Sequence, residues 1–305
     1  MLKSFALLAI GLSLATASAA SDIRFKSAHA IVLDEATGEV LLQKDGSTSV
    51  PIASITKLMT AMVVLDADQS KTEEIRITDS DVDVDKHTRS RIPVGGMLTR
   101  ETLLELALMS SDNRAAAALA RTYPGGMAAF LAATWEKIAA LGLQQTSLSE
   151  PTGLSAKNRS SAEDLALVIR AASQYPEISR ITSQSSQVLR IEASKVRFHN
   201  TNRLVGRPGW NILLSKTGFT NAAGRCLALR MEHAGRTLLV VLLGATHAAH
   251  RTADAMNVLR WAAGEAPVYT AAKQARRALR SVGALKVRRP PAALAARGRP
   301  NADQG

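Results

Sequence analysis

The sequence of residues 51–65 is Pro51-Ile-Ala-Ser-Ile-Thr-Lys-Leu-Met-Thr-Ala-Met-Val-Val-Leu65. The apolar content and length of this run favour a buried helix over a strand, with Ser54 at its start. Residues three positions apart share a helix face, so the amine of Lys57 can reach the hydroxyl of Ser54. A serine nucleophile needs an adjacent base, and burial or a neighbouring cation can lower a lysine pKa to that end. Taken alone, the spacing fits a helix-capping serine and a solvated lysine better.

Two further motifs follow along the chain. Ser111-Asp-Asn113 interrupts two helical patterns, where Ser, Asp and Asn are poor interior residues and good caps. Lys216-Thr-Gly218, followed by Phe219, lies in a strand pattern, where a glycine permits close approach to the backbone. Taken alone, Ser111-Asp-Asn113 would be explained by helix capping. Lys216-Thr-Gly218 alone would be explained by an edge-strand lysine followed by a bulge glycine. Together with Ser54 and Lys57, the motifs indicate acyl transfer without histidine, with Lys216 as a candidate for the cation beside Lys57.

The surrounding patterns predict the fold class. Short apolar runs about a turn predict a β-hairpin over 30–43. Helical patterns cover 127–141, 162–173, 177–182 and 251–263, and strand-like runs cover 187–191, 213–217, 226–231 and 237–243. Strands and helices do not alternate as they would in a doubly wound sheet. We therefore expect an α/β protein of the α+β type, in which an antiparallel sheet is flanked by helices and carries an inserted helical subdomain at about 66–182.

The beginning of the chain predicts export. Residues 1–20 combine a basic start, a short apolar run and an Ala17-Ser-Ala19 cleavage site, which is typical of a cleaved signal peptide; an uncleaved anchor is the alternative. The single cysteine, Cys226, lies in an apolar run and is expected to be a small buried residue. An exported protein without a disulfide suggests a bacterial envelope. These features predict a periplasmic protein whose catalytic domain covers residues 21–267.

Positive charge is concentrated at the end of the chain. The formal net charge is +12, but residues 266–305 hold nine Lys or Arg residues against one acid. The charge therefore does not imply nucleic-acid binding by the part of the chain before this basic segment. The segment 268–305 is predicted to be a basic tail, either disordered or weakly amphipathic. Such a tail could contact an anionic membrane or wall polymer, although a solvated tail is the simpler interpretation.

Histidine chemistry is not indicated. The six histidines are scattered, and no Gly-x-Ser-x-Gly elbow accompanies a serine, so a Ser-His-Asp triad is not expected. His199 could line a cleft, although a structural role is the simpler expectation. His247 and His250 lack a clear third ligand and are expected at the surface. We expect neither a metal nor an organic cofactor.

Several segments between 25 and 265 together resemble a known family. The three motifs, in this order, are shared by the low-molecular-mass penicillin-binding proteins and class A β-lactamases. The supporting segments are Ser90-Arg-Ile-Pro-Val-Gly95, Leu108-Met-Ser-Ser-Asp-Asn-Arg-Ala-Ala116, Pro151-Thr-Gly-Leu154, Asn158, Ser160-Ser-Ala-Glu-Asp164 and Phe198-His-Asn-Thr-Asn202. The chain thus resembles the serine D-alanyl-D-alanine carboxypeptidases and endopeptidases of peptidase family S11. Phe198 to Asn202, Ser215 to Phe219 and Gly224-Arg-Cys226 look most like the type 7 endopeptidase branch.

The resemblance implies a β-lactamase/transpeptidase-like fold and a role for each motif residue. Ser54 would attack the D-Ala carbonyl of a peptidoglycan peptide, Lys57 would accept its proton, and Ser111 would relay a proton to the leaving amine. The implied substrate-binding residues are Asn113, Lys216, Thr217, Gly218 and Phe219. Asn113 would hold the substrate amide, and Lys216 and Thr217 the terminal carboxylate. Backbone N–H groups of Ser54 and Phe219 would form the oxyanion hole. β-Lactam antibiotics would inhibit by acylating Ser54.

Two alternatives remain open on the sequence. A class A-like β-lactamase would need a glutamate-activated water, and Glu150-Pro-Thr-Gly153 is not that family's glutamate motif. A non-catalytic wall-binding protein is the other alternative, although every candidate catalytic side chain is present. The residues do not decide between release of terminal D-alanine and cleavage of a D-Ala-diaminopimelate cross-link.

Overall fold

The computed structural model describes residues 23–191 and 193–265. The predicted signal peptide and the predicted basic tail lie outside these residues. Within them, no helix has both the length and the apolar character needed to cross a membrane.

Eleven strands are present in the described ranges. Their bounds are β1 His29–Asp34, β2 Val40–Lys44, β3 Val50–Pro51, β4 Glu74–Arg76, β5 Met97–Thr99, β6 Arg159–Ser160, β7 Ser186–Ile191, β8 Ser194–His199, β9 Asn211–Thr220, β10 Gly224–His233 and β11 Arg236–Ala245. Five of them form the central sheet in the order β2-β1-β11-β10-β9. Every neighbouring pair is antiparallel, so the first hairpin joins the last three strands.

Helices surround this sheet. Their bounds are α1 Thr56–Asp66, α2 Arg100–Met109, α3 Asn113–Arg121, α4 Gly126–Ala140, α5 Ala162–Ala172, α6 Pro176–Ser183 and α7 Ala248–Ala262. In the central strand β11, Leu239, Val241 and Leu243 face a core that includes α1, α2 and α5. The alternate residues face a second core, which α7 closes with Ala255 and Val258. Helices on both faces explain why β11 is an almost continuous apolar run.

The helix predicted at the Ser54 motif is a core helix. Residues Thr56 to Val64 of α1 are all buried, including Lys57. A helix that is apolar on nearly every side belongs in the interior, where neighbouring helices can cover it. The chain therefore carries the side chain of Lys57 into the protein on a rigid element.

Strand β7 confirms the pattern at 187–191 but lies outside the central sheet. It pairs with β8 in a separate two-stranded sheet. The alternation of β8 escaped prediction because only Phe198 is buried among its residues, while charged side chains such as Lys195 and Arg197 are exposed. Arg91 stacks over the Phe198 ring at 3.7 Å and covers it from solvent.

Candidate active site

Ser54 lies in a tight 3-10 turn, Ala53–Ile55, that leads directly into α1. Ala53 has a left-handed φ of 49°, which turns the chain sharply just before the serine. Two glycines allow other segments to approach this turn closely. A Cβ at Gly153 would lie 2.0 Å from the carbonyl oxygen of Ala53, and one at Gly218 would lie 3.1 Å from the backbone nitrogen of Ser54. Ser54 is thus fixed between the loop of residues 150–155, here called the 150s loop, and strand β9.

Lys57 is completely buried one turn beyond the serine. Its Nζ lies 3.1 Å from Ser54 Oγ, 2.6 Å from Asn113 Oδ1 and 2.6 Å from the carbonyl oxygen of Thr152. Burial lowers the pKa of Lys57 to about 8, although the charges of Glu150 and Asp112 oppose this shift. Of the two causes that the sequence left open, burial and a neighbouring cation, burial is therefore the main one.

Ser111 and Asn113 flank the residue that caps α3. Asp112 Oδ1 accepts a hydrogen bond from Ala115 N over 3.0 Å, so Asp112, rather than either neighbour, is the capping residue. Ser111 has a left-handed φ of 61°, and its side chain lines a cleft beside Ser54. Asn113 donates from Nδ2 to Thr88 Oγ1 over 2.9 Å. The turn between α2 and α3 therefore delivers one hydroxyl and one amide to the site.

Lys216 lies on β9, and its side chain is also buried. Its Nζ donates to Ser111 Oγ over 2.8 Å and to the carbonyl oxygen of Thr217 over 3.1 Å. Burial, together with repulsion from Lys57, lowers the pKa of Lys216 well below its ordinary value. Thr217 Oγ1 donates to Thr201 Oγ1 over 2.7 Å, which fixes the threonine hydroxyl at the cleft wall.

A cleft of about 770 Å³ opens next to Ser54. Its lining includes Ser111, Thr217, Gly218 and Phe219. A second cleft, of about 490 Å³, is lined by Asn113, Thr152 and neighbouring residues. Lys57 bonds both to Ser54, which lines the first cleft, and to Asn113, which lines the second, so one polar cluster connects the two clefts.

The fold brings the three predicted motifs into one cluster. Hydrogen bonds link Ser54, Lys57 and Asn113, a further one links Lys216 to Ser111, and Gly218 approaches the Ser54 turn. Sequence reasoning did not foresee Thr88, Thr152 and Thr201 as partners of these residues. The segments Pro151 to Leu154 and Phe198 to Asn202 contain two of them, but nothing in their composition says which motif they contact.

Cysteine and histidine lie outside this cluster. Cys226 is buried as predicted, and burial raises the pKa of its thiol to about 11. His199 is exposed at the end of β8, and His247 is exposed just before α7. Across residues 23–191 and 193–265, no group of His, Cys, Asp and Glu has the arrangement of a metal site.

Comparison with known proteins identifies the family. Residues 15–247 match peptidase family S11, described as D-alanyl-D-alanine carboxypeptidase. The chain belongs to family S11. A D-alanyl-D-alanine endopeptidase of Pseudomonas aeruginosa is 42% identical over 85% of this chain and 87% of that protein. One from Escherichia coli is 41% identical over 81% and 80% of the two chains. This S11 protein is accordingly a serine-type DD-peptidase, a hydrolase of the endopeptidase and carboxypeptidase class.

Solved structures confirm the predicted fold. The Streptomyces K15 DD-transpeptidase superimposes with a TM-score of 0.74 at 23% identity, covering 79% of this S11 chain and 98% of the other. The five-stranded antiparallel sheet with flanking helices is therefore the β-lactamase/transpeptidase-like fold.

Glu150 of this S11 peptidase is engaged in its own loop. Oε2 accepts hydrogen bonds from the backbone nitrogen and hydroxyl of Thr152, at 2.7 and 2.6 Å. Oε1 accepts from the backbone nitrogens of Gly153 and Ser155, at 2.7 and 3.2 Å. Both carboxylate oxygens thus shape the loop that carries the Thr152 carbonyl. Glu150 therefore has a structural role, and this arrangement argues against its acting as a base that activates water.

Proposed function

We propose that this S11 peptidase is a periplasmic endopeptidase that hydrolyses D-alanyl-diaminopimelate cross-links of peptidoglycan through an acyl-serine intermediate. The observation that carries the acyl-serine chemistry is the 3.1 Å contact between Lys57 Nζ and Ser54 Oγ in a buried site. The endopeptidase assignment is supported by the relatives of that name at 42% and 41% identity. The export signal predicted at residues 1–20 supports the periplasmic location.

Lys57 acts as the general base in this proposal. Neutral Lys57 has two N–H groups and one lone pair, and Asn113 Oδ1 and the Thr152 carbonyl oxygen each accept one N–H. The lone pair is then left to accept the proton of Ser54. Because burial lowers the pKa of Lys57 to about 8, a useful fraction of the amine is neutral near physiological pH.

The other motif residues act on the carbonyl carbon and on the leaving nitrogen of the scissile bond. Ser54 Oγ attacks the D-Ala carbonyl carbon, and the backbone N–H groups of Ser54 and Phe219 stabilise the oxyanion. As the C–N bond breaks, Ser111 passes a proton to the leaving amine. Asn113 holds the amide of the acyl strand. Water then cleaves the ester and regenerates the Ser54 hydroxyl.

Lys216 and Thr217 bind the carboxylate next to the leaving amine. An anion at this position would supply the counter-charge that the buried amine of Lys216 lacks. A β-lactam carries a carboxylate in the same relation to its reactive carbonyl and would acylate Ser54 in the same way. Peptidoglycan peptides are thus the proposed substrates, β-lactams the proposed inhibitors, and no cofactor takes part.

The decisive experiment digests purified peptidoglycan fragments with the wild-type protein and Ser54→Ala. We expect cross-linked dimers to become monomers, and intact-protein mass spectrometry to show one penicillin adduct, with both activities lost in Ser54→Ala. Ser70→Ala is the matched control, because Ser70 is exposed and its hydroxyl forms a hydrogen bond with the nearby hydroxyl of Thr72. Penicillin labelling retained in Ser54→Ala would refute the nucleophile assignment. Release of D-alanine without loss of dimers would favour the carboxypeptidase alternative.

A further inference from the structure

Four arginines line the larger cleft, next to Ser54. They are Arg203, Arg207, Arg225 and Arg251, and neither Asp nor Glu contributes to the lining. Among residues 23–191 and 193–265, none of these arginines forms an ion pair. Cationic side chains without counter-charges on one cleft wall attract anionic ligands, because the low-dielectric walls focus the field.

Arg225 is held in a defined position at this wall. It faces Phe219 across the β9–β10 hairpin, and its guanidinium stacks over the half-exposed ring at 3.7 Å. The charge of Arg225 also reaches Arg251, whose pKa is lowered first by burial and then by this repulsion. Two neighbouring guanidinium groups that repel each other would both be stabilised by a bound anion.

Asn202 adds a polar side chain to the same cleft. Its side chain lines the same cleft although it is almost fully buried, at 3% exposure. Oδ1 accepts a hydrogen bond from Leu204 N over 3.1 Å, whereas Nδ2 has no partner within the described chain. A buried donor without an acceptor is costly. The N-terminal turn of α7, at Ala248 and Ala249, lines this region as well and favours negative charge.

In the proposed mechanism, the arginines lie in the cleft that receives the leaving group. Their cleft contains Ser111 and Thr217, whereas Asn113, the proposed partner of the acyl strand, lines the other cleft. A linear substrate releases one alanine, whose single carboxylate is adjacent to the leaving amine. A cross-linked substrate instead releases a whole stem peptide with additional carboxylates farther from the scissile bond.

We propose that Arg225, together with Arg203 and Arg207, binds the outlying carboxylates of a peptidyl leaving group and thereby makes the enzyme selective for cross-linked over linear substrates. This inference rests on the proposed endopeptidase function and names the residues that select its substrate. Arg225 is joined to the site through its stacking on Phe219, and Arg203 and Arg207 are exposed side chains on the 201–207 segment that lines the same cleft. All three are specificity-determining residues in this scheme.

The test compares kcat/KM for a cross-linked muropeptide dimer with that for a linear pentapeptide monomer. We expect Arg225→Gln to reduce the dimer-to-monomer ratio about tenfold, since a hydrogen bond between charged groups typically contributes this much. Arg225→Lys should recover part of the ratio because the positive charge is retained. Arg24→Gln is the control, because Arg24 is exposed and lines none of the described clefts.

A chemically matched substrate addresses the charge directly. Amidation of the outlying carboxylates in the leaving strand should slow the wild-type enzyme on the dimer and should slow Arg225→Gln less. The double variant Arg203→Gln/Arg207→Gln repeats the test at exposed positions that do not touch Phe219, in case loss of the stacking contact destabilises the site. An unchanged ratio in both sets of variants, or an amidated dimer cleaved as fast as the native one, would overturn the inference. Wild-type protein that cleaves neither substrate would instead count against the proposed function itself.

Discussion

Lys216 Nζ donates a hydrogen bond to Ser111 Oγ over 2.8 Å, although the two residues lie 105 positions apart in the chain. This contact joins strand β9 to the turn between α2 and α3 across the floor of the cleft. It places a cation beside the hydroxyl that is proposed to protonate the leaving amine. Lys57 and Lys216 have different proposed roles, so protonation of each should affect a different step.

The pKa of Lys57 should determine how the acylation rate falls at acidic pH. Because burial lowers its pKa to about 8, the amine is protonated below that pH and cannot accept the proton of Ser54. We expect the rate constant for acylation by penicillin to fall about tenfold per pH unit well below 8 and to level off above it. Stopped-flow measurements from pH 6 to 9 check this. Lys57→Arg, which stays protonated throughout, should lose about 100-fold or more. A flat profile for the wild-type enzyme would contradict the base assignment.

Lys216 should make substrate binding depend on pH. Burial and repulsion from protonated Lys57 lower its pKa well below that of an exposed lysine, so the amine loses its charge at a lower pH. Binding of the substrate carboxylate should then weaken as pH rises, which appears as a rising KM. Lys216→Arg keeps the charge at high pH, so its KM should vary less with pH even though the overall rate is lower. Circular dichroism should verify the fold of the variant, and an equal rise of KM in the variant would assign the effect to another group.

Gly153 should be indispensable for positioning Ser54. Its φ of 84° is left-handed, and a Cβ would lie 2.0 Å from the Ala53 carbonyl oxygen. Gly153→Ala must therefore displace the 150s loop or the Ser54 turn, and we expect lower thermal stability together with loss of penicillin labelling. Gly142→Ala is the matched control, with a φ of 67° and no atom within 4 Å of the added Cβ. It should cost only about 1–2 kcal/mol of backbone strain and retain labelling. Equal behaviour of the two variants would exclude a steric role for Gly153.

Glu150 should support the loop and contribute nothing to deacylation. Its carboxylate accepts from Thr152, Gly153 and Ser155, so neither oxygen is left to activate water. We expect a long-lived penicilloyl adduct on the wild-type protein, followed by intact-protein mass spectrometry over hours. Glu150→Gln should lower the melting temperature, because an amide nitrogen cannot accept from these donors, and should leave the adduct lifetime unchanged. Rapid drug turnover that vanishes in Glu150→Gln would revive the β-lactamase alternative.

Local sequence patterns were sufficient to predict most strands of the central sheet and most helices. The β1–β2 hairpin, the core helix α1 and the long strands β9 to β11 each show the apolar periodicity of their own structure within a few residues. The three motifs could also be located on their elements. In contrast, β8 was missed because its buried side is reduced to Phe198, which Arg91 covers from a distant part of the chain.

The sequence by itself determined the family, the acyl-transfer chemistry and the identity of the motif residues, because these depend on side-chain types at short, ordered spacings. Only the tertiary structure decided that the Thr152 carbonyl and Asn113 orient Lys57, that burial is the main cause of its lowered pKa, and that Arg225 stacks on Phe219 beside Arg251. Except for the hairpin pair of Phe219 and Arg225, these relationships join segments far apart along the chain. They exist because the packing of α1, β9 and the loops excludes water from the site, and no local pattern encodes which loops meet there or how completely they desolvate a charge.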